Sequence, residues 1–198
     1  MTATSPSPTR RLGATDLALV AAFAALIAIC AMLPAIHVGA GVVPITLQTF
    51  AVLLSGAVLG AKRGFLAVVL YLAIGAAGLP VFADGRSGFG VFAGPSMGYL
   101  LGFPFAAALC GFIVERLPRD KVATSIPLIF AAGLFSSAVF IHTLGILGMT
   151  WRIPTDLSAA WKIDVVFWPG DVIKNLAMAA VATAVHRAFP DLLPRRRS

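Results

Sequence analysis

The sequence predicts an all-α polytopic membrane protein: one bundle of six transmembrane helices, with both termini on the cytoplasmic side. Three observations carry this. Of 198 residues, 59% are hydrophobic and only 12% charged, with a mean hydropathy of +0.94, whereas a soluble domain carries about 25% charged residues. The apolar residues gather into six runs; six spans of about 20 residues use roughly 120, leaving short loops and no second domain. Lys and Arg are unevenly shared between alternate loops, the asymmetry that orients a helix bundle in a bilayer. The chain therefore reads as a single membrane domain over residues 1–198, with a flexible cytoplasmic tail at 1–13 and a basic cytoplasmic tail at 190–198.

The first span is expected from Leu17 to Ala35, after a Ser/Thr/Pro-rich tail and Arg10-Arg11. Its apolar run exceeds the roughly 7–15 residues of a signal-peptide core, and further spans follow, so it reads as an uncleaved helix. Alanines four apart, at Ala18/Ala22, Ala21/Ala25 and Ala24/Ala28, let another helix approach closely, either within the bundle or from a partner. The second and third spans, Ile45–Gly60 and Gly64–Leu79, are short for a bilayer. The loop from Gly78 to Gly94 mixes turn-forming glycines with aromatics too apolar for a merely solvated loop, and reads as a lid or as a re-entrant packing segment. The fourth, fifth and sixth spans are expected at Pro95–Val114, Ile126–Met149 and Trp168–His186. Trp151, Trp161 and Trp168 fall at one boundary, as interfacial side chains do, and Leu157, Trp161, Val165 and Trp168 keep helical spacing, predicting a short helix on the outer surface.

Arg10, Arg11, Lys62, Arg63, Arg116, Arg119, Lys121, Arg187, Arg195, Arg196 and Arg197 fall on the proposed inner face, eleven of the fifteen basic residues. The outer loops hold Arg86, Arg152 and Lys162, and Lys174 lies in the last span. The net charge of +7 is thus a topology signal and not a nucleic-acid surface. Cys30 and Cys110 sit inside apolar runs without CxxC spacing, which fits buried packing and neither disulfide nor metal. No metal and no cofactor is expected.

Against this apolar background the polar residues stand out. Asp171 and Lys174 share one face of the last span at i and i+3. A charge in a span costs roughly 2.5–3.5 kcal/mol at the helix centre, so it faces a cavity or a partner. The pair either neutralises itself or lines a site open to the outside. Two further polar clusters, Pro44–Thr49 with Gln48 and Gly94–Tyr99 with Ser96, open the second and fourth spans. In the deduced topology the second, fourth and sixth helices all point their N-termini outward, where unpaired N–H groups and the positive dipole end favour an anion. A small acidic molecule is the natural ligand.

Several chemistries lack their motifs. There is no GxxxxGK[ST], since Gly56–Lys62 has the wrong spacing, so the chain carries no phosphate loop; the glycines of the 78–94 loop show no GxGxxG after a strand. HExxH and GxSxG are absent, and His142, in the outer part of the fifth span, is more in keeping with packing than with a catalytic base. An intramembrane enzyme using Asp171, Lys174 and His142 would lack a catalytic constellation. A channel would show a polar stripe down a helix, not polarity confined to the outer third.

Three stretches together, PITLQTFAVLLSGAVLGAKRG from Pro44 to Gly64, GLPVFADGRSGFGVFAGPSMGYLLGF from Gly78 to Phe103, and Pro169–Lys174, resemble the BioY family over nearly the whole chain. These are the biotin-binding S-components of energy-coupling factor (ECF) transporters. The resemblance implies a six-helix protein of a prokaryotic cytoplasmic membrane that captures biotin from outside. Transport would be driven by a transmembrane coupling subunit and two ABC-type ATPases. It implies ligand contact at Asp171 and Lys174, and by extension at Gln48, Asp84, Arg86, Tyr99 and Asn175. The docking face for the coupling subunit would be Ala18, Ala21, Ala22, Ala25 and Ala28. An S-component for another small vitamin is the nearest alternative.

Overall fold

The computed structural model describes residues 13–37 and 43–193. Arg10, Arg11, Arg195, Arg196, Arg197 and most of the two expected tails lie outside these residues, as does the side chain of Arg119. The regular elements of the described chain are helices: α1 (Ala14–Met32), α2 (Gln48–Leu59), α3 (Ala61–Ala76), α4 (Met97–Val114), α5 (Ile126–Arg152) and α6 (Leu157–Ala188), with a single helical turn at Arg119–Val122 and short 3₁₀ turns in the 78–94 loop. Among the described residues no strand occurs; Ile36 and Ile45 exchange two 2.9 Å backbone hydrogen bonds as an isolated antiparallel bridge. Four helices, α1, α4, α5 and α6, are long and apolar enough to cross a membrane, and α2 is a shorter apolar helix.

The helix limits differ from expectation for local reasons. α1 begins at Ala14 and stops at Met32, three residues earlier at each end than expected. The Asp16 carboxylate accepts the Gly13 N–H at 3.1 Å, and Leu33 is extended because Pro34 follows it. α3 likewise starts at Ala61. Gly60 takes φ +83°, ending α2, and the Glu115 carboxylate accepts the freed N–H of Ala61 at 2.9 Å. The last helical run is much longer than expected. Asp156 caps it by accepting the Ala159 N–H at 2.6 Å, and a 3₁₀ turn at Val165–Phe167 carries it into the Pro169 segment.

α2 is the centre of the bundle, with every residue from Ala51 to Gly60 buried and α1, α3, α4 and α6 packed around it. Glycines let these helices approach. A Cβ on Gly56 would collide with the carbonyl of Ala107 in α4, and one on Gly64 would sit 2.7 Å from Gly56 Cα. At one end Arg63 is buried: its guanidinium pairs with Asp16 at 3.1 Å and donates to the carbonyls of Leu59 at 2.9 Å and of Leu192, tying α1, α2, α3 and the C-terminal segment together.

α5 contains a π-helical stretch, Ser137–His142. Such turns are uncommon and often sit at functional sites. Here it ends on His142, which is buried.

Candidate functional site

The starts of α2 and α4 and the Phe167–Lys174 stretch inside α6 converge on one pocket at the end of the bundle opposite Arg63. α6 already runs on from Leu157, so, contrary to the sequence expectation, it presents no free helix N-terminus there. α2 and its lead-in contribute Val43–Thr46, Gln48 and Thr49; α4 contributes Ser96, Tyr99, Leu100 and Phe103; α6 contributes Phe167, Asp171 and Lys174. Phe82, Ala83, Arg86 and Val91 of the 78–94 loop form a further wall, and Ile141 of α5 completes the lining. The loop is anchored: Phe82 meets Tyr71 and Phe92 edge to face, with ring centroids 5.5 and 5.8 Å apart. A side chain at Gly75 would occupy the place of the Phe82 ring.

Most of the polar side of the pocket is wired, while the buried Ser96 hydroxyl has no hydrogen-bond partner among the described residues. Lys174 pairs with Asp171, and its ammonium also donates to the Thr46 carbonyl at 3.2 Å. The Thr49 hydroxyl donates to Asp171 Oδ1 at 3.0 Å. Gln48 Nε2 donates to Tyr71 Oη at 2.7 Å, and Tyr71 donates to the Val81 carbonyl at 3.2 Å, linking the start of α2 to the loop. Behind Asp171 stands a second carboxylate, Asp164, which is fully buried. It accepts from Tyr99 Oη at 2.8 Å, from Trp168 Nε1 at 3.0 Å, and from His142 Nδ1 at 2.9 and 3.0 Å. The His142 ring stacks on the Trp168 indole with centroids 4.5 Å apart.

Of the residues singled out by sequence, Asp171, Lys174, Gln48, Arg86 and Tyr99 line the pocket. Asn175 is buried one turn below Asp171 and donates to its backbone carbonyl at 2.9 Å. Asp84 stands apart, exposed and 3.4 Å from His37. Arg86, also exposed, donates through Nε to the Ala83 carbonyl at 3.3 Å. On α1, Ala18, Ala21, Ala22 and Ala25 are exposed and Ala28 half-exposed, while Ala24 is buried against the bundle.

Sequence reasoning missed Asp164. It lies seven residues before Asp171, two helical turns along the same face, and that spacing was the available signal. Trp168 was placed as an interfacial anchor, yet its indole serves Asp164 and His142. The stripe Leu157, Trp161, Val165 faces outward, whereas the opposite face, Ala160, Asp164 and Phe167, packs inward.

Fold and site together define a multi-pass membrane protein with a small-molecule pocket walled by two helix starts, the middle of α6 and one loop. Comparison with known proteins narrows the class: the family model for the BioY family matches residues 3–191. The chain belongs to the BioY family. It is similar to the biotin transporter BioY of Rhodobacter capsulatus, 42% identical over 91% of this chain and 98% of that protein, and to that of Rhizobium etli, 38% identical over 91% and 97%. Among solved structures it is similar to the S-component for biotin from an ECF-type ABC transporter, with a TM-score of 0.82 and 29% identity, covering 87% of this chain and 91% of that one. These relatives are transporters and not enzymes.

Proposed function

We propose that the chain captures biotin as the substrate-binding S-component of an ECF-type transporter. The observation that carries this is the pocket between the starts of α2 and α4 and the Phe167–Lys174 stretch of α6, on a fold that superposes on a biotin S-component with a TM-score of 0.82. Its chemistry suits the ligand. The apolar bicycle fits the wall of Phe82, Val91, Leu100, Phe103 and Phe167, and the ureido N–H groups meet acceptors such as Asp171 and Gln48. The carboxylate needs a cation. Lys174 is already compensated by Asp171, so Arg86 at the rim is the better partner, with Lys174 contributing its remaining N–H. Tyr99 closes the floor, Asn175 supports Asp171 from below, and Asp84 orders the 78–94 loop through His37.

The distribution of Lys and Arg supports six crossings of a prokaryotic cytoplasmic membrane, with both termini inside and the pocket at the outer end. Uptake then requires a transmembrane coupling subunit and two ABC-type ATPases. The exposed Ala18, Ala21, Ala22 and Ala25, with the half-exposed Ala28, form the surface for the coupling subunit. Equilibrium binding of labelled biotin to the detergent-purified protein, with thiamine and riboflavin as competitors, tests the reading. Saturable binding displaced by biotin alone is expected; absence of saturable biotin binding overturns it.

A further inference from the structure

We infer that His142 is a positioning residue: an imidazolium, protonated on both ring nitrogens, that bridges two buried carboxylates and holds Asp171 toward the pocket. This rests on the reading of that pocket as the ligand site. His142 and Asp164 do not line the pocket themselves. The donor count carries the inference. Asp164 Oδ1 accepts from Tyr99 and Oδ2 from the Trp168 indole, whose N–H can only donate, and both oxygens lie within 3.0 Å of His142 Nδ1. A ring nitrogen shared between two oxygens that already accept is an N–H donor to a carboxylate.

The other ring nitrogen, Nε2, lies 3.3 Å from Asp171 Oδ2 in a buried contact that lacks hydrogen-bond alignment. A neutral ring protonated on Nδ1 would there leave an electron-rich nitrogen 3.3 Å from a carboxylate oxygen, too close for a water between them. One more proton is required. It does not sit on Asp171, because that carboxylate is the counter-charge of Lys174, whose side chain is only 12% exposed. It sits on the ring.

The four groups then balance, with Asp164 and Asp171 negative and His142 and Lys174 positive. The other groups near them are the Tyr99 phenol of α4, the Thr49 hydroxyl of α2, and Arg86 across the pocket. Thr49 and Lys174 engage Asp171 Oδ1, while His142 faces Oδ2. The carboxylate is thereby fixed in rotation.

Nitrogen-15 spectra of the ligand-free full chain, labelled at histidine and held at neutral pH, test the charge. One ring with both nitrogens protonated is expected, missing from His142→Gln and reduced to a single proton in Asp164→Asn. A singly protonated His142 ring in the wild-type chain overturns the inference. Where a single substitution prevents folding, Asp164→Asn/His142→Gln removes one charge of each sign. Its biotin Kd is expected to rise about tenfold, the loss of one charge-assisted contact; an unchanged Kd overturns the positioning role. The spectra need no ligand, so they fail separately from the biotin reading. A doubly protonated ring in a wild-type chain that binds no biotin removes the positioning role and leaves the charge.

Discussion

Lys174 and Asp171 illustrate how much one pair of side chains can carry. Both are nearly buried, with side-chain exposures of 12% and 3%, and removing one member of such a pair strands the other. Lys174→Met leaves Asp171 with His142 and Thr49, so the protein is expected to remain folded while biotin affinity falls about tenfold to a hundredfold, the range for losing a charged hydrogen bond. Titration of the variant with labelled biotin reads this, and unchanged affinity moves the site away from Lys174. Asp171→Ala is the harsher change, since it leaves Lys174 and His142 facing each other. Breaking a buried pair costs about 3–5 kcal/mol, so a lower melting temperature should accompany its weaker binding. Arg86 separates by ligand. Arg86→Ala should weaken biotin more than the neutral biotinamide, and equal loss for both would mean that the guanidinium does not hold the carboxylate. Asp171 and Lys174 were legible in the sequence because charges in an apolar run demand an explanation. Asp164 was not, because it lies before the expected start of the last span, beside a stripe that read as an interfacial helix, and the fold is what shows that the helix continues and turns this residue inward.

The helices show what periodicity can and cannot tell. Apolar runs fall on helices α1 to α6, four of them long enough to cross a membrane, but the ends of α1 and α3 moved by three residues because side chains decide them: Asp16 at Gly13, Pro34 after Leu33, Glu115 at Ala61. Glu115 comes from the far end of α4, a contact with no local signature. The close approach of α2 to α4 was also invisible, since a glycine in a span looks the same whether it faces lipid or another backbone. Gly56 faces the Ala107 carbonyl, and backbone cannot move aside as a side chain can. Gly56→Val should therefore exceed the roughly 1–3 kcal/mol of ordinary overpacking. The expected result is a large loss of monodisperse protein in detergent. Gly90→Val, where a Cβ meets open space, should leave the yield unchanged. Equal yields for the two variants would show that the α2–α4 contact tolerates separation.

At the scale of the whole molecule, the polar segments become one pocket because α2 is wrapped by its neighbours, so the starts of α2 and α4 meet the Phe167–Lys174 stretch of α6 at one end of the bundle. The alanine face of α1 lies elsewhere, and this separation makes a clean test possible. Ala24, on the inner side of α1, is 2% exposed, whereas Ala22 and Ala25 point outward without touching the pocket. Bulky residues there add volume where no neighbour in the bundle stands. Small residues at such a face let a second helix come within backbone distance, and a large side chain forbids that approach. Ala22→Trp/Ala25→Trp should therefore bind biotin with wild-type affinity in detergent while biotin uptake by cells expressing the complete transporter falls at least about tenfold, since a docking step lost by 1.4 kcal/mol or more costs that factor. Binding and uptake lost together would indicate a folding defect. Binding and uptake both retained would place the coupling subunit on another face of the bundle.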